Sequence, residues 1–265
     1  MKWLSIIGDG DLYFYGISLF FGIGKHYEFM YFALSQSIDI FFNNTMKGIL
    51  RGSRPMFDDP SVAIRESGWC AADFGSPSGH AMLTVQFFLT LYLFYKSEYD
   101  GFCRRHRVLS FLINLSVAAY IFGVCAGRLY LGRHSVDQIL IGFVQGVLNG
   151  YYIHYCFKPY MFDPLFKPGA SQEGQDRVGP AFKAFKISFI VYVIVIAFTV
   201  SVWSYGEYQQ AVPQYYHDSV NQLCEKVRKA YTFHNFSMAF QGYVTFVPAI
   251  YFWNWIKERQ VGPKT

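Results

Sequence analysis

Charge is what this sequence has least of. Asp, Glu, Lys and Arg make up 15% of its 265 residues, well under the roughly one quarter usual in soluble domains. That scarcity excludes both a globule covered in solvated charge and a highly charged disordered chain. Cysteine is sparse too, five in all, and no two stand in a CxxC pair. Neither a zinc site nor a disulfide-stapled small fold is expected. Internal repeats and low-complexity tracts are missing. The opening MKWLSIIGDGDLYFYG has no small-residue cleavage site behind a clean apolar stretch, so no cleaved signal peptide is expected.

What is present is apolar: 52% of the residues are hydrophobic and 20% aromatic. A spanning helix needs about 20 mostly apolar residues. Five windows approach that length, at 82–95, 108–126, 139–157, 187–203 and 238–256. Two weaker ones, 12–24 and 27–45, read as a helical hairpin, the second interrupted by Gln36 and Asp39. The expectation is an all-α polytopic membrane bundle of about seven transmembrane helices, since in lipid a helix satisfies its own backbone. Residues 1–265 form one domain on this reading.

The net charge of +5 does not point to nucleic acid, because the basic residues are dispersed among loops. Their distribution bears on topology instead. With alternating spans, Lys96, Arg104, Arg105, Arg107, Lys158, Lys167, Arg177, Lys183, Lys186, Lys257, Arg259 and Lys264 share one face, which the positive-inside tendency makes cytoplasmic. The other face carries Lys47, Arg51, Arg54, Arg65, Arg128 and Arg133. Cys70 and Cys224 map to that second face, where an oxidising compartment would allow a Cys70–Cys224 disulfide. Asn43, Asn114 and Asn235 begin glycosylation sequons but lie in or beside spans, so glycosylation is not expected. The long aromatic connector at 205–234 reads as a lid or partner-binding segment.

Three polar segments converge on the second face. KGILRGSRP holds Lys47 and Arg54 before Pro55; PSGH, Pro77 to His80, opens an apolar window; GRLYLGRHSVDQ holds Arg128, His134, Asp137 and Gln138. Two guanidinium groups and an ammonium can surround phosphate oxygens. Ser78 adds a hydroxyl, and Gly79 lets its N–H approach an anion at a helix start. Two imidazoles suit a two-step phosphoryl transfer, one attacking phosphorus and the other protonating the leaving oxygen. His134 has Asp137 and Gln138 at helical offsets as acceptors for its far nitrogen. It is therefore the expected nucleophile, and His80 the general acid. Taken singly, Lys47, Arg51 and Arg54 read more readily as headgroup anchors, the histidines more readily as interfacial residues, and Ser78 as a helix cap. Only their joint spacing favours catalysis.

These motifs closely resemble the type 2 phosphatidic acid phosphatase superfamily, which includes lipid phosphate phosphatases, glucose-6-phosphatases and vanadium haloperoxidases. Its signatures KxxxxxxRP, PSGH and SRxxxxxHxxxD correspond here to Lys47–Pro55, Pro77–His80 and Arg128 onward, a signature core at 47–138. The resemblance implies a helical membrane bundle and a phosphohistidine intermediate on the histidine at 134. It also implies an acid at His80, phosphoryl binding by Lys47, Arg54, Ser78, Gly79 and Arg128, and no metal or other cofactor. The third signature departs twice: Gly127 replaces its serine, and Gln138 its aspartate, with Asp137 one position earlier. Glucose-6-phosphatases are similar in placing Gln there. The expected substrate is a lipid phosphate such as phosphatidate. The alternatives are a sugar phosphate or, in a different class, a non-catalytic subunit retaining the bundle. The expected setting is an endomembrane such as the endoplasmic reticulum, with membrane lipids as neighbours and the site on the non-cytoplasmic face. Oligomeric state is not legible.

Overall fold

A computed structural model of the chain describes residues 10–62, 73–98, 101 and 105–163, with single positions at 197, 201, 204, 205 and 218. Within them the structure is helical. Helix α1 (Gly10–Gly22) turns through Gly24, whose φ of +79° suits glycine, into α2 (His26–Leu50). A short α3 (Pro55–Asp58) follows, then α4 (Gly79–Glu98), α5 (Arg107–Tyr130) and α6 (Val136–Tyr152), which runs on as a widened π segment over Ile153–Phe162. The expected hairpin at 12–24 and 27–45 is thus α1 and α2, and α2 continues unbroken through Gln36 and Asp39 to the turn that carries Lys47.

Helix α4 is the hub, packing on α2, α5 and most extensively on α6. The closeness of α4 and α6 has a backbone cause. Gly142, Gly146 and Gly150 fall four apart on one face of α6, the spacing that lets membrane helices approach closely. A methyl group at Gly142 would stand 2.6 Å from the Ser78 carbonyl oxygen, and one at Gly146 2.6 Å from that of Met82. At the far end of α4 an aromatic cluster seals the bundle, with Tyr31 stacked on Phe94 at 5.2 Å and tilted against Phe162 of the π segment at 5.3 Å. Lys158 closes that end by pairing with Glu98 at 3.3 Å and Asp163 at 3.2 Å.

Among the described residues, one helix, Arg107–Tyr130, is long and apolar enough to cross a membrane, and only 6% of its apolar window is buried in protein. Val108, Phe111 and Phe122 are among the apolar side chains it leaves uncovered. The expectation of about seven spans is therefore supported at one position. Helix α1 has 13 residues, fewer than a crossing needs. Helix α6 has 17 residues, and α2 and α4 fall short because they carry amides, hydroxyls and a carboxylate, which turn inward and bond to one another or to α6. Gln36 Nε2 donates to Gln86 Oε1 at 2.5 Å, Gln86 Nε2 to Thr90 Oγ1 at 3.0 Å, and Asn149 Nδ2 to the buried Asp39 at 2.5 Å. Such pairing is what makes buried polar groups tolerable in an apolar setting. Windows 187–203 and 238–256, the connector at 205–234 apart from single positions, and Arg65, Cys70, Cys103 and Cys224 lie outside the described residues. So does the Cys70–Cys224 pairing. Asn43 is buried against Met82 Sδ at 3.5 Å, which keeps its sequon inaccessible.

Candidate active site

Four helix ends meet at one end of the bundle: the C-termini of α2 and α5 and the N-termini of α4 and α6. Each brings one of the expected groups. Lys47 lies in the last turn of α2, which Arg51 ends in the left-handed conformation at φ 45°. The chain then doubles back, so that Arg54, capping α3 before Pro55, is 2% exposed. Arg128 rides on the last turn of α5 and is likewise buried. His134 follows in the α5–α6 turn, where Gly132 at φ +64° packs so tightly that a methyl group would stand 2.7 Å from the Val62 carbonyl oxygen.

Backbone bonds sew the three segments together. Gly75 N–H donates to Gly52 O at 2.7 Å, Ser78 N–H to Gln138 O at 3.0 Å and Met56 N–H to Gly132 O at 3.1 Å. Gln138 adds side-chain stitches: its Nε2 donates to Ser53 O at 2.6 Å, while its Oε1 lies 3.3 Å from His134 Nδ1. Arg54 spans the site as well, donating from Nε to Asp73 O at 2.8 Å, from Nη1 to Arg133 O at 3.0 Å and from Nη2 to Asp73 Oδ1 at 2.5 Å.

The orientation of His134 follows from its partners. Nδ1 sits 2.8 Å from the carbonyl oxygen of Gly75. A carbonyl oxygen only accepts, so Nδ1 carries the proton. Nε2 then holds the lone pair, 3.2 Å from Arg54 Nη1. Burial, then the charges of Arg54, Arg128 and Lys47, and finally His80 hold His134 well below the ordinary histidine value. Neutral imidazole is the form that can attack. His80 feels the same pressures, with burial first and then Arg128, Lys47 and Arg54, opposed by Asp73. The hydroxyl of Ser78 is fully buried and has no hydrogen-bond partner within the described structure, an uncommon state for a buried donor. Three cations, that hydroxyl and the first N–H groups of α4 form a cradle for an anion.

The PAP2 superfamily profile matches residues 28–162. The chain belongs to this superfamily. The PAP2 match begins in α2 and ends with the π segment, so it takes in every element that supplies the cradle. Over 143 residues the chain is 27% identical to the dolichyldiphosphatase of Saccharomyces cerevisiae, covering 49% of this chain and 52% of that one. Over 118 residues it is 31% identical to glucose-6-phosphatase catalytic subunit 1 of Canis lupus familiaris, covering 40% and 33%. The Felis catus counterpart is 30% identical over the same length. The chain thus spans about half the length of the first of these relatives and a third of the second. No solved structure matches it significantly.

The geometry brings together Lys47, Arg54, Ser78, Arg128 and His134, and places Gly79 and His80 at the first turn of α4. Of the two expected orienting groups it brings Gln138, and not Asp137, beside His134. Asp137 is exposed on the outer side of α6, and no hydrogen bond joins it to His134, because His134 precedes the N-cap Ser135 and so lies off the helix whose offsets would bring the two together. Gln138 lies within reach, but the closest acceptor is the backbone of Gly75. A main-chain carbonyl leaves no residue-type signal, although the glycine does: a methyl group there would stand 2.7 Å from Gln138 Oε1 and 2.8 Å from Ser53 O. Asp73 was also unexpected. It pairs with both Lys47 and Arg54, outside all three signatures.

Proposed function

We propose that the protein is an integral membrane phosphatase that hydrolyses phosphomonoesters, lipid phosphates such as phosphatidate foremost, through a phosphohistidine and without a metal. The observation that carries this reading is the hydrogen bond from His134 Nδ1 to Gly75 O, which leaves a nucleophilic Nε2 facing the guanidinium of Arg54. Lys47, Arg54 and Arg128, with the Ser78 hydroxyl and the Gly79 N–H, bind the phosphoryl oxygens and stabilise the charge that gathers on them in flight. The Nε2 lone pair forms the N–P bond as the P–O bond to the alcohol breaks. The positive charge arising on the ring is shared with Gly75 O through Nδ1–H. His80, protonated once a bound dianion offsets the surrounding cations, gives its proton to the departing alkoxide. The resulting neutral His80 then takes a proton from water. The water oxygen bonds phosphorus, the N–P bond breaks, and inorganic phosphate leaves with both histidines restored.

The lipid preference rests on α5, whose apolar flank is uncovered and whose last turn carries Arg128 into the cradle. A headgroup at the bilayer rim would meet the site with its tail along that helix. The name of the yeast relative, a dolichyldiphosphatase, accords with a lipid leaving group. A sugar phosphate is the second reading, favoured by Gln138, which the sequence shares in type with glucose-6-phosphatases. The site opens on the non-cytoplasmic face of an endomembrane such as the endoplasmic reticulum, on the strength of the loop charge bias. Purified protein in detergent, offered phosphatidate, a polyprenyl phosphate and glucose 6-phosphate, tests the choice. Preference for the sugar overturns the lipid reading, and equal phosphate release by wild type and His134→Ala overturns catalysis altogether.

A further inference from the structure

The cations of the cradle hold an anion of the protein's own. Asp73 Oδ2 pairs with Lys47 Nζ, and Oδ1 lies 2.5 Å from Arg54 Nη2. Both carboxylate oxygens therefore sit on cations that the proposed reaction assigns to phosphoryl oxygens. Burial works to raise the Asp73 pKa, but Arg54 and Lys47 overcome it and hold the carboxyl well below the usual range, so it is ionised at any ordinary pH. It is also the outermost member of the group: its side chain is 30% exposed, against 12% for Lys47 and 2% for Arg54. Its main chain is anchored separately, by Arg54 Nε on its carbonyl oxygen. The carboxylate can thus rotate toward water while the backbone and both cations stay where they are.

We infer that Asp73 is an autoinhibitory residue, a tethered anion that competes with every phosphoryl group for Lys47 and Arg54 and must swing off them before one binds. The inference rests on the phosphatase reading of the same site. Three cations against one carboxylate leave the pocket with two positive charges when both imidazoles are neutral. A monoester dianion matches that surplus and brings a third oxygen for Arg128, Ser78 and the start of α4. A monoanion offers Lys47 and Arg54 no more charge than the carboxylate already does, and it must displace a competitor held at high effective concentration by the chain. If the carboxylate occupies the cations about nine-tenths of the time, apparent affinity for any rival anion falls about tenfold.

The test is calorimetric binding of methyl phosphate and dimethyl phosphate to the purified full-length protein in detergent at about pH 7.5, where the monoester is a dianion because its second pKa is about 6. Wild type is expected to favour methyl phosphate by at least about a hundredfold, since charge pairs in a partly desolvated site are each worth a tenfold or more. Asp73→Asn is expected to tighten both ligands, each by about tenfold, on the same competition argument. Asp73→Ala serves as a second variant, and a binding constant read from the shape of the isotherm does not depend on how much of the preparation is folded. Weaker binding of both ligands, the result if Asp73 merely braces Lys47 and Arg54, overturns the inference. Unchanged affinity for both ligands does so too. Wild type that neither binds methyl phosphate nor releases phosphate from any monoester would instead bring down the phosphatase reading itself.

Discussion

His134 Nδ1 lies 2.8 Å from the main-chain carbonyl of Gly75, 59 residues away along the chain. This contact links the third polar segment to the second and decides which imidazole nitrogen keeps its lone pair. It depends on glycine, because the position is walled by Gln138 Oε1 and Ser53 O.

Replacing Gly75 by Ala would put a methyl group 2.7 Å from Gln138 Oε1 and 2.8 Å from a backbone oxygen that cannot step aside. The carbonyl shifts, and the imidazole with it. Misplacement on the order of 1 Å costs about a hundredfold in rate. Steady-state kinetics should show kcat falling by that order with thermal stability changed far less; an unaltered kcat would remove Gly75 from the mechanism.

Gln138 both accepts near His134 and donates to Ser53 O at 2.6 Å. Gln138→Glu keeps an acceptor but sets a carboxylate against a carbonyl oxygen, so it should lose both stability and rate. Loss of a buried donor leaving two acceptors opposed is worth about 1–3 kcal/mol, readable in the midpoint of thermal unfolding. If Glu behaves like Gln, the Ser53 bond is not holding the segment beside Arg54.

The glycine face of α6 offers a sharper stability test. Gly142→Ala would bring a methyl group to 2.6 Å from the Ser78 carbonyl oxygen, and Gly146→Ala to 2.6 Å from that of Met82. Both contacts are with helix or turn backbone, so α4 and α6 must separate, at about 1–3 kcal/mol for overpacking. Gly142→Ala should also displace the turn that carries Ser78 and lower phosphate release, whereas Gly16→Ala, with nothing within 4 Å, should do neither.

The buried histidines make stability depend on pH. Both have folded-state values pushed below the ordinary one, by burial first and neighbouring cations after it. As pH drops through about 6.5 the unfolded chain takes up protons that the folded site refuses. Stability therefore falls below about pH 6.5 and is flat, as far as these groups are concerned, above it. Thermal midpoints in detergent across that range should show the slope, and His80→Gln/His134→Gln should flatten it.

What the sequence determined by itself was the chemistry on offer and its general place. Cations, a hydroxyl turn and imidazoles were legible because each depends on residue type at a spacing of a few positions, and helical windows because they depend on local apolarity. The polar interruptions at Gln36, Asp39, Gln86 and Asn149 carried a second message that apolarity alone could not convey: these helices face one another as well as their surroundings. Gly142, Gly146 and Gly150 were visible as letters, but which backbone they admit was not.

Tertiary structure alone decided who touches whom. It gave the task of orienting His134 mainly to a main-chain carbonyl, turned Asp137 outward, and set Asp73 on Lys47 and Arg54. Those outcomes depend on contacts between segments 19 to 80 residues apart, and a carbonyl group is the same in every residue. Sequence patterns report the side chains a helix can present, while the field inside a pocket depends on how separate helix ends come together in space.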